Sequence, residues 1–242
     1  MKWEDEGIML AARPYGERNI IIEVFTESHG RHLGMVRNVN KNKSASHFEP
    51  GAQLKLVWAS RLQEQLGVFS TEILKSRTLN LIHKKEILLG FNSIISILLT
   101  VLPEREPCQS IYYNSINLID SIAINRGWLA DYVEWELFIL SELGYGLDLS
   151  TCALTGSNSN LAYVSPKTGR AVSKAAGKDW KNRLLPLPDF LINRDRPKEL
   201  TLDSLEDGFR LTGYFLTKWL LNSLNRKPLP GARDRFLKAI LN

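Results

Sequence analysis

Between residues 7 and 73 the chain carries five short apolar runs, at 8–12, 19–26, 31–36, 54–59 and 67–73, each closed by turn-forming residues. Runs of this length, rich in Ile, Val and Phe, predict strands. Alternation is clearest in the fourth, where Leu54, Leu56 and Trp58 share one face and Lys55 points away. The second, Ile20-Ile21-Ile22-Glu23-Val24-Phe25, is apolar on both faces, the pattern of a strand covered by another layer. Arg13-Pro14-Tyr15-Gly16 and Ser28-His29-Gly30 supply turns, because Pro presets φ and Gly accepts a positive one. Five such strands in so short a stretch predict a small closed barrel, since closure removes the exposed edges.

Within that stretch no acid occurs from His29 to Phe48, whereas Arg31, Arg37, Lys41 and Lys43 all do, and Asn38-Val39-Asn40-Lys41-Asn42-Lys43-Ser44 reads as a polar, basic loop. A small barrel with a positive loop fits a nucleic-acid binder; a merely solvated loop fits four cations as well. The wider charge pattern bears on the choice. Net charge is +2 over residues 1–80, −5 over 81–150 and +8 over 151–242, for +5 in all. Cations gathered at the two ends of the sequence point to a polyanionic partner, phosphate backbones being the commonest.

After Thr78 the apolar period changes from two to about 3.6. Helices are expected over 84–102, stopped by Pro103, over 108–124, with Ile111, Ser115, Leu118, Ile119 and Ile122 near one face, and over 128–143. Leu129, Val133, Leu137 and Leu140, with Glu136 as a candidate fifth member, mark the stripe of the third, Gly144 fits a left-handed cap after it, and its acids Asp131, Glu134, Glu136 and Glu142 read as a solvated face in preference to an acid–base pair. Residues 152–177 break the pattern as a turn-rich insert with short apolar pieces at 161–164 and 171–172. Helix is expected again near 187–192 and from a capping box at Asp203 and Glu206 to about Leu224, with a short one over 232–241. The run 87–102 is too short and too polar for a membrane span, the acidic start lacks a secretory signal, and two cysteines, Cys108 and Cys152, fit a reducing cytoplasm.

Cys152-x-x-Thr155, 17 residues, then Ser173-x-x-Ala176 has the spacing of a four-cysteine zinc ribbon with one cysteine left, so no metal and no other cofactor is expected. His29, His32, His47 and His83 are scattered, which argues against a histidine site. No nucleophile–base set, phosphate loop or dinucleotide fingerprint appears, so no catalytic residue is assigned and the chain is read as a non-enzyme. Lys167, Arg170, Lys174, Lys178, Lys181 and Arg183 face a single acid, Asp179, and surround Trp180. That mixture suits single-stranded nucleic acid, with Trp180 either stacking on a base or packing against Leu184 and Leu187. Trp58, on the face of Leu54 and Leu56, is placed in the core.

Gly7-Ile8-Met9-Leu10, Tyr15-Gly16-Glu17, Val24-Phe25-Thr26-Glu27-Ser28-His29-Gly30 and Trp58-Ala59-Ser60-Arg61-Leu62 resemble the N-terminal half of the RecO family of bacterial DNA-repair proteins. The likeness continues through Leu147–Gly156, is strongest in Tyr163-Val164-Ser165-Pro166-Lys167-Thr168-Gly169-Arg170-Ala171-Val172-Ser173, and extends to Leu211-Thr212-Gly213-Tyr214-Phe215-Leu216. The resemblance implies a mixed, multidomain fold: a five-stranded OB-type β-barrel over residues 1–79, then an α-helical domain over 80–242 holding a degenerate zinc-ribbon-like insert at about 150–178. It implies binding of single- and double-stranded DNA without sequence specificity, strand annealing, and help, with RecR, in replacing single-strand-binding protein by RecA. It also implies a cytoplasmic, nucleoid-associated site of action and docking of the acidic tail of single-strand-binding protein on the helical domain, where Lys84, Lys85 and Arg126 are the cations available. The family's basic barrel positions correspond to Arg37, Lys41 and Lys43.

The expected DNA track is therefore Arg37, Lys41 and Lys43 with Arg31 and Arg61 beside them, extended by Lys167, Arg170 and Lys174. Two other classes remain as alternatives. An OB-fold RNA-binding protein would exploit the 2′-hydroxyl, and a non-catalytic adaptor would hold protein but no nucleic acid.

Overall fold

The structure is a computed structural model that describes residues 1–38, 48–62, 64–77, 84–122, 124, 127–193, 200–225 and 228–241. Strands β1 (Lys2–Tyr15), β2 (Asn19–Thr26), β3 (Gly30–Val36), β4 (Gln53–Ala59) and β5 (Val68–Lys75) close into a barrel in the order β1-β2-β3-β5-β4. Only β3 and β5 pair in parallel, through Met35 and Val68; the other ladders are antiparallel. This is the OB arrangement, and the expected five-stranded barrel is present.

Met9, Ile22, Val24, Leu54, Leu56, Trp58 and Phe69 fill its interior. Burial of Leu54, Leu56 and Trp58 between exposed Lys55 and Ala59 follows the alternation read from the sequence. The opposite face of β2 is buried too, Phe25 meeting Tyr112 edge-on at 5.5 Å, so the covering layer implied by its two apolar faces is a helix.

β1 is much longer than the expected 8–12. Its first half pairs with β4, from Lys2 opposite Ala59 to Ile8 opposite Gln53, and its second half with β2, with a register shift between Met9 and Ala11. One strand serving two neighbours closes the barrel. Because alternate residues of its polar half face out, Lys2-Trp3-Glu4-Asp5-Glu6 gives no apolar signal.

Helices α1 (Lys85–Val101), α2 (Gln109–Ser121) and, at the other end of the sequence, residues Gly231–Ile240 group with the barrel as one compact unit, Met1–Ala123 with Pro230–Ile240. α1 buries Ile87, Phe91, Ile94, Ile95, Ile97, Leu98 and Val101, so apolar side chains project around most of its girth and need cover on more than one side. It lies against both β1 and the 231–240 helix. The last barrel strand ends at Lys75 and the first helix starts at Lys85, and both belong to this one unit.

The second unit, Ile124–Leu229 with Leu241–Asn242, contains α3 (Trp128–Leu140) and α4 (Leu202–Phe215), with the 231–240 helix of the first unit numbered α5. A π-type turn extends α3 over Ser141–Tyr145, where Gly144 takes the expected left-handed conformation, φ 87°. The buried face of α3 is Trp128, Tyr132, Val133, Trp135, Glu136, Ile139 and Leu140, whereas Leu129 and Leu137 are only half-buried. Of the two places the sequence offers Glu136, the structure takes the stripe: it is fully buried and accepts a hydrogen bond from Thr212 of α4. Replacing Thr212 by isosteric Val should cost roughly 1–3 kcal/mol, the range for leaving a buried polar atom short of a donor; Thr212→Ser should restore most of it. Urea denaturation of both variants measures the difference.

α4 begins two residues earlier than the expected capping box, with Thr201 as its cap, its hydroxyl accepting from the Ser204 N–H at 3.2 Å. The expected helix near 187–192 is only a 3₁₀ turn, Asp189–Leu191. The insert folds as a three-stranded sheet ordered β7-β6-β8, from β6 (Leu161–Val164), β7 (Ala171–Ser173) and β8 (Leu185–Pro186). No helix among the described residues is long and apolar enough to cross a membrane.

Candidate nucleic-acid interface

Arg37 is exposed immediately after β3, and Arg61 is exposed in the turn that leaves β4. Lys41 and Lys43 lie outside the described residues. Arg31 departs from expectation. It is 8% exposed, it forms an ion pair with Glu23, its Nε donates to the Leu102 carbonyl at 3.0 Å, and Glu104 stands 3.5 Å from Nη2. A guanidinium so engaged fastens the α1–α2 connection to the barrel and is not presented to a phosphate.

In the second unit Lys167, Arg170, Lys174, Lys178, Lys181 and Arg183 are all exposed. Arg170 shares its charge with Asp148 at 3.2 Å; Ser150 hydrogen bonds, then Arg170, hold the Asp148 carboxyl below its ordinary range. The 3₁₀ turn Lys178–Arg183 carries Trp180 outward, 54% exposed, with the Arg183 guanidinium 5.4 Å from the ring centre. Trp180 is therefore no core side chain, and its ring carries one cation, Arg183.

The zinc-ribbon spacing gathers its remnants around one sulfur. Cys152 is buried, and its Sγ receives the Ser173 N–H at 3.2 Å with Ser173 Oγ at 3.5 Å. Burial pushes the thiol up, but hydrogen bonds from Thr155, Ser173 and the Leu154 backbone outweigh it and bring the pKa down to about 6. Among the described residues no three His, Cys, Asp or Glu converge as metal ligands would. Lys84 and Lys85 are exposed at the start of α1, and Arg126 lies outside the described residues.

The histidines are less scattered than the sequence implies. The β2–β3 turn and the outset of β3 bring His29 and His32 beside Trp3 of β1 and Trp58 of β4. The His29 and Trp3 rings are stacked at 4.0 Å with 8° between planes, and Trp3 is near-parallel to Trp58 at 5.6 Å. Asp5 Oδ2 fixes the outer ring, 2.8 Å from His29 Nδ1 and 2.9 Å from the Ser28 N–H. His32 stands edge-on to Trp3 and Trp58, 5% exposed, and neither ring nitrogen has a hydrogen-bonding partner. A pocket of about 360 Å³ opens here, with Arg105 also in its lining. Residues 3, 29, 32 and 58 share no motif; the signal that was available is only that Trp3 and Trp58 fall opposite each other once β1 and β4 pair.

Burial, then the charges of Arg105 and His29, lower the His32 pKa to about 4. Native His32 is therefore neutral where the unfolded chain takes up a proton near 6.5. The stability it contributes is intact above about pH 6.5 and is lost as pH falls toward 4. With solvent screening allowed for, that loss is about 2 kcal/mol. Comparing urea melts at pH 7.5 and 4.5, His32→Phe should show a loss smaller than the wild type's by about that amount.

Comparison with known proteins bears on what these surfaces do. Residues 1–77 match the family model described as Recombination protein O N terminal, and residues 86–228 the one described as Recombination protein O C terminal. The DNA repair protein RecO of Ruegeria sp. is 44% identical over 240 residues, covering 99% of this chain and 98% of its own. That of Cereibacter sphaeroides is 45% identical over 241 residues, with 99% and 98% covered, and that of Dinoroseobacter shibae 39% identical over 240, again with 99% and 98% covered.

Proposed function

Because this chain belongs to the RecO family of DNA repair proteins, we propose that it is a recombination mediator. It binds single- and double-stranded DNA without sequence preference, anneals complementary strands and, with RecR, helps RecA replace single-strand-binding protein. The observation that carries this reading is the placement of cations. Arg37 and Arg61 are exposed on the barrel, and on the second unit Lys167, Arg170, Lys174, Lys178, Lys181 and Arg183 are exposed, with Arg183 over the ring of the exposed Trp180. Annealing requires two polyanions to approach; Lys and Arg that meet phosphates displace counterions and screen the repulsion while leaving base edges free to pair. No bond is made or broken in that role, so the protein acts without catalysis. The residues 1–79 barrel serves as the DNA-binding domain, with Arg37, Lys41, Lys43 and Arg61 as its contacts. Lys167, Arg170 and Lys174 of the helical part, 80–242, bind DNA as well. Lys84, Lys85 and Arg126 are the cations offered to the acidic tail of single-strand-binding protein. The site of action is the cytoplasm, at the nucleoid.

The test is hybridisation of complementary oligonucleotides, naked and coated with single-strand-binding protein. The purified chain should accelerate both reactions at low salt, and the acceleration should fade as salt rises. Hybridisation no faster than in buffer defeats the reading.

A further inference from the structure

Two properties of the pocket between Trp3, Trp58, His29, His32 and Arg105 specify a ligand. It is flat-walled: Trp58, Trp3 and His29 form a column of near-parallel rings whose outer member, His29, is about one-third exposed. It is small: about 360 Å³ is near the lower end of the roughly 300–1,000 Å³ typical of ligand pockets, enough for one planar heterocycle. At the pocket lies Arg105, which also donates from Nη2 to the Gln65 carbonyl at 3.0 Å and so sits against the β4–β5 turn.

We propose that this pocket receives a single unpaired nucleobase of bound single-stranded DNA, stacked on the exposed face of His29 at the outer end of the ring column, with its phosphate toward Arg105. The inference rests on the barrel binding DNA and adds to it a contact that reads the base plane, where the lysines and arginines read only charge. It would hold one base out of the strand's own stack, so that a strand is fixed by its bases as well as its phosphates.

The test compares oligo-dT with an abasic oligomer of the same length and charge, using fluorescence anisotropy at low salt with the full chain. The wild type should prefer oligo-dT by about tenfold, the size of one base stack. His29→Ala should reduce that preference severalfold while leaving affinity for the abasic oligomer unchanged. The His29 ring resonances, assigned by their absence from the His29→Ala spectrum, supply a readout on the wild type: oligo-dT should move them and the abasic oligomer should not. Equal binding of the two oligomers, a preference that survives His29→Ala, or His29 lines indifferent to bases overturns the pocket and leaves the electrostatic reading standing. Binding of neither oligomer overturns both.

Discussion

Gly30→Ala should destabilise the barrel unit by more than about 3 kcal/mol, one of the largest losses expected from a single substitution in this chain. Gly30 starts β3 at φ +67°, and a Cβ added there would fall 2.0 Å from the Glu106 carbonyl oxygen and 2.5 Å from its carbon. Both are backbone atoms, so no side chain can swing aside. The connection 102–106 is held against β3 at that point by the Arg105 N–H on the Arg31 carbonyl, 2.8 Å, and by Arg31 Nε on the Leu102 carbonyl, 3.0 Å. Relieving the clash means breaking one or both, and the left-handed conformation adds about 1 kcal/mol for any residue with a Cβ. A total above about 3 kcal/mol is a large share of the 5–15 kcal/mol by which domains are stable. Gly16→Ala is the matched control: φ is +68°, but nothing lies within 4 Å of the new atom, so only the conformational cost of about 1 kcal/mol should appear. Urea melts of the two variants separate the terms, and similar destabilisation by both would show that the connection does not press on Gly30.

The second large effect concerns binding. Alanine at Arg37, Lys41 and Lys43 together should flatten the salt dependence of single-stranded DNA affinity. Each phosphate contact contributes about 0.7 to the slope of log K against log salt, so three lost contacts shift it by about 2 and weaken binding on the order of 100-fold at 0.1 M salt. The annealing rate should fall with it. The variant should fold normally, because Arg37 is exposed and no described element depends on it. An unchanged slope with an unchanged annealing rate would remove these residues from the interface. Arg31 serves as the contrasting site: since its guanidinium is occupied by Glu23 and the Leu102 carbonyl, Arg31→Ala should register in stability before it registers in the salt slope.

The contrast between Arg31 and Arg37 shows where reading the chain succeeds and where it stops. Both are cations of one acid-free run, six residues apart, and nothing local distinguishes them. The partner that buries Arg31 is the carbonyl of Leu102, 71 residues away, and only the folding of the α1–α2 connection onto β3 puts it there. Glu136 poses the same problem, since its spacing allows either face. Its helix carries several acids, and the one turned inward is identified by Thr212, 76 residues on.

From the sequence alone came the features that repeat at short range: five strands by their alternation and turns, the stripe of α2, and the clustering of positive charge. A period of two or 3.6 records which face of an element is apolar, because side chains project with that period. The tertiary fold decided what covers each face: that α1, α2 and α5 pack with the barrel, that Trp180 stands in solvent, and that Trp3, His29, His32 and Trp58 share one pocket. Those outcomes depend on contacts between segments tens of residues apart, and periodicity within a segment carries no information about its partner.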